Sequence, residues 1–154
     1  TRAGVTVRES KDLATFWDIL DKNLTNKYAT HPVHSLEELT LLHSRFPNSI
    51  RLFMAFNDKG IAIGGTIIYE MPQVVHTQYI SASPEGKRLG AIDLLFDYIL
   101  NDVYANRKGF FDFGKSTEEE GKILNTTLIF QKEGFGGRGV CYDCYTWETR
   151  SVIE

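Results

Sequence analysis

Lys87 and Arg88 stand between two glycines, Gly86 and Gly90, in the stretch Ser81-Ala82-Ser83-Pro84-Glu85-Gly86-Lys87-Arg88-Leu89-Gly90-Ala91. The run before it, Val74 to Ile80, reads as a strand, and the run after it, Ala91 to Tyr104, as a helix. A strand that ends in a basic, glycine-containing loop and restarts as a helix is an anion site. Free backbone N–H groups and the positive end of the helix dipole face the ligand, and the glycines let a phosphate approach. The chemistry that suits it is the binding of a nucleotide-type ligand such as coenzyme A. The same residues also read as an ordinary strand-to-helix turn with solvated basic side chains.

Other reactive residue types give less. The two cysteines, Cys141 and Cys144, form a single C-x-x-C in a tyrosine-rich, strand-like stretch, and a zinc ribbon needs a second pair. They read as ordinary thiols of a reducing, cytoplasmic compartment. The histidines His31, His34, His43 and His76 have no metal-ligand spacing, so no metal is expected.

The elements that must position these residues follow from periodicity. Val5 to Val7 reads as a short strand. Ser10 reads as the N-cap of a helix carrying Leu13, Phe16, Trp17, Leu20 and Leu24. Asn26 to His34 is a loop, and Ser35-Leu36-Glu37-Glu38 is a capping box that opens a second helix, stopped by Pro47 and Asn48. Arg51 to Phe56, the turn Asn57-Asp58-Lys59-Gly60 and Ile61 to Tyr69 form a hairpin, with Gly64-Gly65 as a bulge or a close backbone approach. Val74 to Ser81 is the next strand, on which His76 and Gln78 share a face by simple alternation. The long helix runs to about Asn106. Phe110 to Phe113 is a short strand, Glu118 to Glu133 a helix with Asn125 inside it, and Val140 to Thr149 a last strand.

The expected order is β-α-α-β-β-β-α-β-α-β, an α/β domain with a mixed central sheet of six to seven strands and about four helices. The anion loop then lies at the carboxyl end of the fourth strand, where open α/β sheets bind ligands. The chain has 154 residues, 42% of them hydrophobic and 24% charged, which fits one domain of ordinary globular composition. Its net charge of -3 argues against a duplex DNA binder. No stretch approaches the roughly 18 apolar residues of a membrane span.

This order, with the loop between the fourth strand and the third helix, resembles the GNAT acyltransferase superfamily. Its pyrophosphate loop has the pattern Q/R-x-x-G-x-G/A, to which Lys87-Arg88-Leu89-Gly90-Ala91-Ile92 is similar, with Lys87 at the first position and Ile92 at the last. Phe111-Asp112-Phe113-Gly114-Lys115-Ser116 and Phe130-Gln131-Lys132-Glu133-Gly134-Phe135-Gly136 resemble a pattern of the FemAB-like group within that superfamily. Thr30 to Ser35 and His76 to Tyr79 resemble it too. FemAB-like proteins have two GNAT-like halves, and Arg2 to Val7 is similar to the start of the second. The resemblance therefore implies that residues 1–154 are one GNAT-like domain, the C-terminal half of a longer protein.

The implied activity is transfer of an acyl group from acetyl-CoA or another acyl-CoA to a small-molecule amine. Two alternatives stay open: aminoacyl transfer from tRNA, which the acidic balance does not favour, and a non-catalytic half acting through its missing partner half or a homo-oligomer. The resemblance implies Ala82, Lys87, Arg88, Leu89, Gly90, Ala91 and Asn125 for the donor. Tyr79 would protonate the leaving thiolate, or else be a core tyrosine. His76 would be a base, or else structural, and Glu118 is a further catalytic candidate. His34, Gln78, Ser116 and Lys132 are candidates for the acceptor and acyl channel. For Ser116 the alternative is helix capping, for Lys132 a salt bridge, and for Asp112 within the short strand a loop cap or a basic partner.

Overall fold

The computed structural model describes residues 4–149. Arg2 and Ala3, part of the stretch similar to a second-half start, lie outside them. The chain divides into two compact units, residues 1–115 and 116–154.

The first unit is a mixed five-stranded sheet with helices on both faces. Its strands are β1 (Thr6–Ser10), β2 (Ile50–Phe56), β3 (Ala62–Glu70), β4 (Val74–Ala82) and β5 (Phe110–Asp112), in that spatial order. Neighbours from β1 to β4 are antiparallel, and β4 and β5 are parallel. β2 shows why its sequence reads as a continuous apolar run from Leu52 to Phe56. Ile50, Leu52, Met54 and Phe56 face one core with Leu13, Phe16 and Leu20 of α1 (Leu13–Tyr28) and Leu39 of α2 (Leu36–Arg45). Phe53 and Ala55 face the other side, toward α4 (Ala91–Tyr98). A strand buried on both faces needs apolar residues at every position. Each fully buried Phe or Leu in these cores contributes about 1.5–3 kcal/mol of transfer free energy.

Local signals hold with small shifts. The N-cap of α1 is Asp12, not Ser10: Asp12 Oδ1 accepts from Thr15 N at 3.0 Å, while Ser10 Oγ accepts from Asp12 N. The Ser35 capping box forms in full, with Glu38 N donating to Ser35 Oγ and Ser35 N donating to Glu38 Oε2. The predicted basic loop contains a turn of helix of its own, α3 (Pro84–Arg88), because Ser83 caps it and Pro84 is suited to its first position. α4 continues as a π-helical segment, Ile99–Val103.

Gly65 is a close approach: a Cβ there would lie 2.7 Å from Phe53 O and 2.9 Å from the Phe16 ring. The bulge in this hairpin falls one residue before Gly64, at Ile63, where the β2–β3 register slips between Ala55 and Phe56. A second slip matters more. Ile67 pairs with Tyr79 and Ile68 with Thr77, so Gln78 is an extra residue in β4. Tyr69 pairs with His76. Tyr69, Tyr79 and Ile67 all pack on the α1/α2 core, whereas Ile68 and Val75 belong to the α4 core. His76, the cross-strand partner of Tyr69, and Tyr79, three residues on and past the bulge, therefore both lie on the α1/α2 face.

One charged network ties the far end of the sheet. Arg51 donates to both carboxylate oxygens of Glu9, at 2.9 and 2.8 Å, and Tyr104 Oη donates to Glu70 Oε2 at 2.9 Å. Arg107 Nη1 reaches Glu70 Oε1 at 2.5 Å. The Arg51 guanidinium holds the Glu9 carboxyl below the usual carboxylate range.

The second unit departs from the sequence reading. In place of a helix from Glu118, it has a two-stranded ribbon of β6 (Thr117–Glu118) and β7 (Ile123–Leu124), then α5 (Thr126–Gly134). Glu119 and Glu120 have positive φ, which no helix interior tolerates. The expected last strand, Val140 to Thr149, has no regular structure, so the mixed sheet has five strands rather than six or seven.

Candidate functional site

β5 pairs with β4 over three residues only: Val74 with Phe110, Val75 with Phe111, and His76 with Asp112. Gly114, at φ +74°, follows the pairing, and its N–H donates to Asp112 Oδ1 at 2.7 Å. Beyond His76, the β5-side edge of β4 has no strand partner among the described residues. The strands therefore part at His76 and Asp112 and leave a free edge leading to Ala82.

At that apex, His76 Nδ1 lies 2.7 Å from Asp112 Oδ2. A carboxylate only accepts, so Nδ1 carries the proton and Nε2 keeps its lone pair in the neutral ring. Asp112 thus has the basic partner and the loop cap that the sequence left open, both at once. Thr77 Oγ1 donates to the Asp112 carbonyl at 3.1 Å, which fixes the strand end.

Tyr79, beyond the bulge, is half-buried. Its hydroxyl lies 2.6 Å from His34 Nδ1, and Trp17 of α1 packs edge-on to its ring at 5.5 Å. This brings two candidates 45 residues apart into one hydrogen bond. A further phenol stands beside them that periodicity did not single out. Tyr69, the cross-strand partner of His76, has a buried hydroxyl with no hydrogen-bond partner among the described residues. Burial pushes its pKa up, and the neighbouring Tyr79 adds to the shift. From α1 to the start of α2 runs a groove of about 700 Å³, lined among others by Trp17, Asp18, Asp21, His34 and Glu37.

At the other end of the free edge, the β4–α3–α4 junction is built on one carbonyl. Ser83 N and Oγ both donate to Ile63 O, at 2.9 and 3.2 Å, and Gly86 packs so close that a Cβ would sit 2.0 Å from that oxygen. α4 starts at Gly90, in the left-handed conformation at φ +67°. The N–H groups of Ala91, Ile92 and Asp93 precede its first intrahelical bond, from Leu94 N to Gly90 O, and no side chain caps them. Ala91 is buried against Ile63, and Ile92 packs on the α4 core. Ile92 therefore fills the core side of the helix, not the loop. Lys87 Nζ donates to Asn23 Oδ1 of α1 at 2.5 Å, and Arg88 is exposed.

The remaining candidates belong to the second unit. Asn125 is not inside a helix but is the N-cap of α5: its Oδ1 accepts from Leu128 N at 2.9 Å and its Nδ2 donates to Glu118 Oε1 at 2.6 Å. Asn125, rather than Ser116, does the capping, and Ser116 contributes its carbonyl to Asn125 N. Lys132 lies in the last turn of α5. Cys141 and Cys144 are exposed free thiols. Among the described residues, no three His, Cys, Asp or Glu side chains group to hold a metal, and no helix is long and apolar enough to cross a membrane.

Comparison with known proteins shows the family. Residues 1–120 match the model of the acetyltransferase (GNAT) domain. The chain belongs to the GNAT acetyltransferase family. The GNAT fold extends over nearly all of it. A possible acetyltransferase from Clostridium difficile 630 superposes with a TM-score of 0.69 at 15% identity, over 95% of this chain and 98% of that one. AAC(6')-Iy, in complex with the bisubstrate analogue CoA-S-monomethyl-acetylneamine, gives 0.66 at 14% identity over 95% and 99%. An aminoglycoside 6'-N-acetyltransferase from Acinetobacter baumannii gives 0.62 at 14% identity over 96% and 100%. No protein of curated function matches the chain in sequence.

Proposed function

We propose that this GNAT domain transfers an acetyl group from acetyl-CoA to the amine of a small polar acceptor. The observation that carries the reading is the parting of β4 and β5 at His76 and Asp112, with a free β4 edge running from there to the uncapped start of α4. A pyrophosphate would accept hydrogen bonds from the N–H groups of Ala91 and Ile92, with Lys87 and Arg88 supplying charge and Ala82 and Leu89 flanking it. The pantetheine arm would lie along the free edge, which puts the thioester at the apex.

There, the amine nitrogen adds to the thioester carbonyl carbon. The C–N bond forms, the C–S bond breaks, and the sulfur leaves as a thiolate. His76 Nε2, with Nδ1 held by Asp112, takes the amine proton, and Tyr79 Oη gives one to the sulfur, so one proton is lost and one gained. His34 holds the Tyr79 hydroxyl and borders the groove through which the acceptor would enter. A relative of the same fold carries a CoA conjugate of acetylneamine, which supports both the donor and an amine acceptor. Asp112-Phe113-Gly114, part of the FemAB-like resemblance, supports a finer reading. Two of its residues hold the apex, so we assign the domain to a FemAB-like half in which an aminoacyl-tRNA is the rival donor.

Calorimetry with acetyl-CoA on the wild-type chain and on a Lys87→Ala/Arg88→Ala variant tests the donor. Micromolar binding that weakens about tenfold in the variant, about 1.4 kcal/mol, is expected. Absence of binding at millimolar acetyl-CoA, with salt-sensitive binding of charged tRNA, overturns it in favour of the aminoacyl donor.

A further inference from the structure

Tyr69 is a polar residue of the apex that the reaction above does not use. Its hydroxyl is buried and makes no hydrogen bond among the described residues. Such a group forfeits the hydrogen bonds it would make in water, and a native fold keeps it only where something else is gained. Its place in the sheet says what. Tyr69 is directly across from His76, the last residue of β4 paired to β5, and packs on the same core as Tyr79. The hydroxyl therefore belongs to the α1/α2 face, beside the point where the free edge of β4 begins.

The chemistry narrows the partner. Burial and the neighbouring Tyr79 both favour the neutral phenol, which is a hydrogen-bond donor at every working pH. The attacking amine brings N–H donors and needs its lone pair for the carbonyl carbon. The acyl group brings one good acceptor, its carbonyl oxygen, which becomes more negative as the nitrogen adds. A fixed donor outside water is most effective toward such an oxygen.

We propose that the Tyr69 hydroxyl donates a hydrogen bond to the carbonyl oxygen of the bound acyl thioester. Tyr69 is then a substrate-binding and catalytic residue of the site, and its orphaned hydroxyl is satisfied by the donor. This rests on the acetyl-CoA reading above and is separable from it.

Tyr69→Phe removes one oxygen and keeps the ring in the core. Acetyl-CoA and CoA are titrated calorimetrically into wild type and variant, and the thermal midpoint of each protein is recorded. The expected result is acetyl-CoA affinity about tenfold lower in the variant, CoA affinity within twofold of wild type, and a thermal midpoint equal or higher. Equal acetyl-CoA affinity in the two proteins, or an equal loss for both ligands, overturns the assignment while leaving the donor reading intact. A wild-type protein that binds neither ligand overturns the donor reading, and this assignment with it. Should the variant lose its fold, Tyr69→Leu, which also lacks a donor, replaces it with the same pair of ligands. A selective loss of acetyl-CoA supports the contact, and parallel losses overturn it.

Discussion

His76 and Asp112 are 36 residues apart in the chain, yet they form the last pair of a three-residue parallel ladder and share a 2.7 Å hydrogen bond at its end. One contact therefore does two things. It closes the ladder, and it sets the tautomer of the neutral ring, with the lone pair on Nε2 where the strands part.

Replacing His76 with Gln keeps a donor for Asp112 and removes the base. Turnover with an amine acceptor is expected to fall about 100-fold, in the range of a lost general base. Acetyl-CoA affinity should stay within about twofold on the same variant, because His76 is asked only to take a proton. A parallel loss of both would recast His76 as a structural residue.

Gly86→Ala puts a Cβ 2.0 Å from the Ile63 carbonyl oxygen, which also receives Ser83. That oxygen is backbone and has nowhere to yield. A loss of about 2–3 kcal/mol is expected in urea denaturation, as for an overpacked core site. A variant of wild-type stability would show that the junction is more yielding than its geometry.

Tyr104 gives a pH signature. Burial first, and then its hydrogen bond to Glu70, push its phenol up to about 12. An unfolded tyrosine ionises near 10 (about 10). The folded state therefore holds the proton more tightly, and this contribution is complete below about pH 10 and lost as the pH rises through about 12. The thermal midpoint should drop between those values, and less steeply in Tyr104→Phe. Tyr69, also raised, acts in the same direction, so some slope should persist.

Asn125→Ala removes both the cap of α5 and the contact to Glu118. A loss of about 1 kcal/mol in the local stability of α5 is expected. Amide hydrogen exchange at Leu128, whose N–H bonds to Asn125, reads it directly. Unchanged protection there would mean that the cap contributes nothing.

Where the sequence was read within a few residues, it was read well. The Ser35-to-Glu38 box and the hairpin from Arg51 to Tyr69 act through neighbours in the chain, and the structure keeps both. The same local logic misled where two signals competed. Asp12 displaced Ser10 as cap because its carboxylate reaches Thr15, and Asn125, expected inside a helix, starts one instead. Ile92, at the last position of the loop pattern, turns to the core.

By itself, the amino-acid sequence determined most element types of the first unit and their order, because hydrophobic period and backbone freedom are local properties. Only tertiary structure decided that Gln78 is an extra residue, that Tyr79 thereby joins His76 on one face, that Asp112 meets His76, and that the Tyr69 hydroxyl is left alone beside them. Register between strands sets each of these. It depends on how whole elements pack against one another, and no window along the chain contains that information.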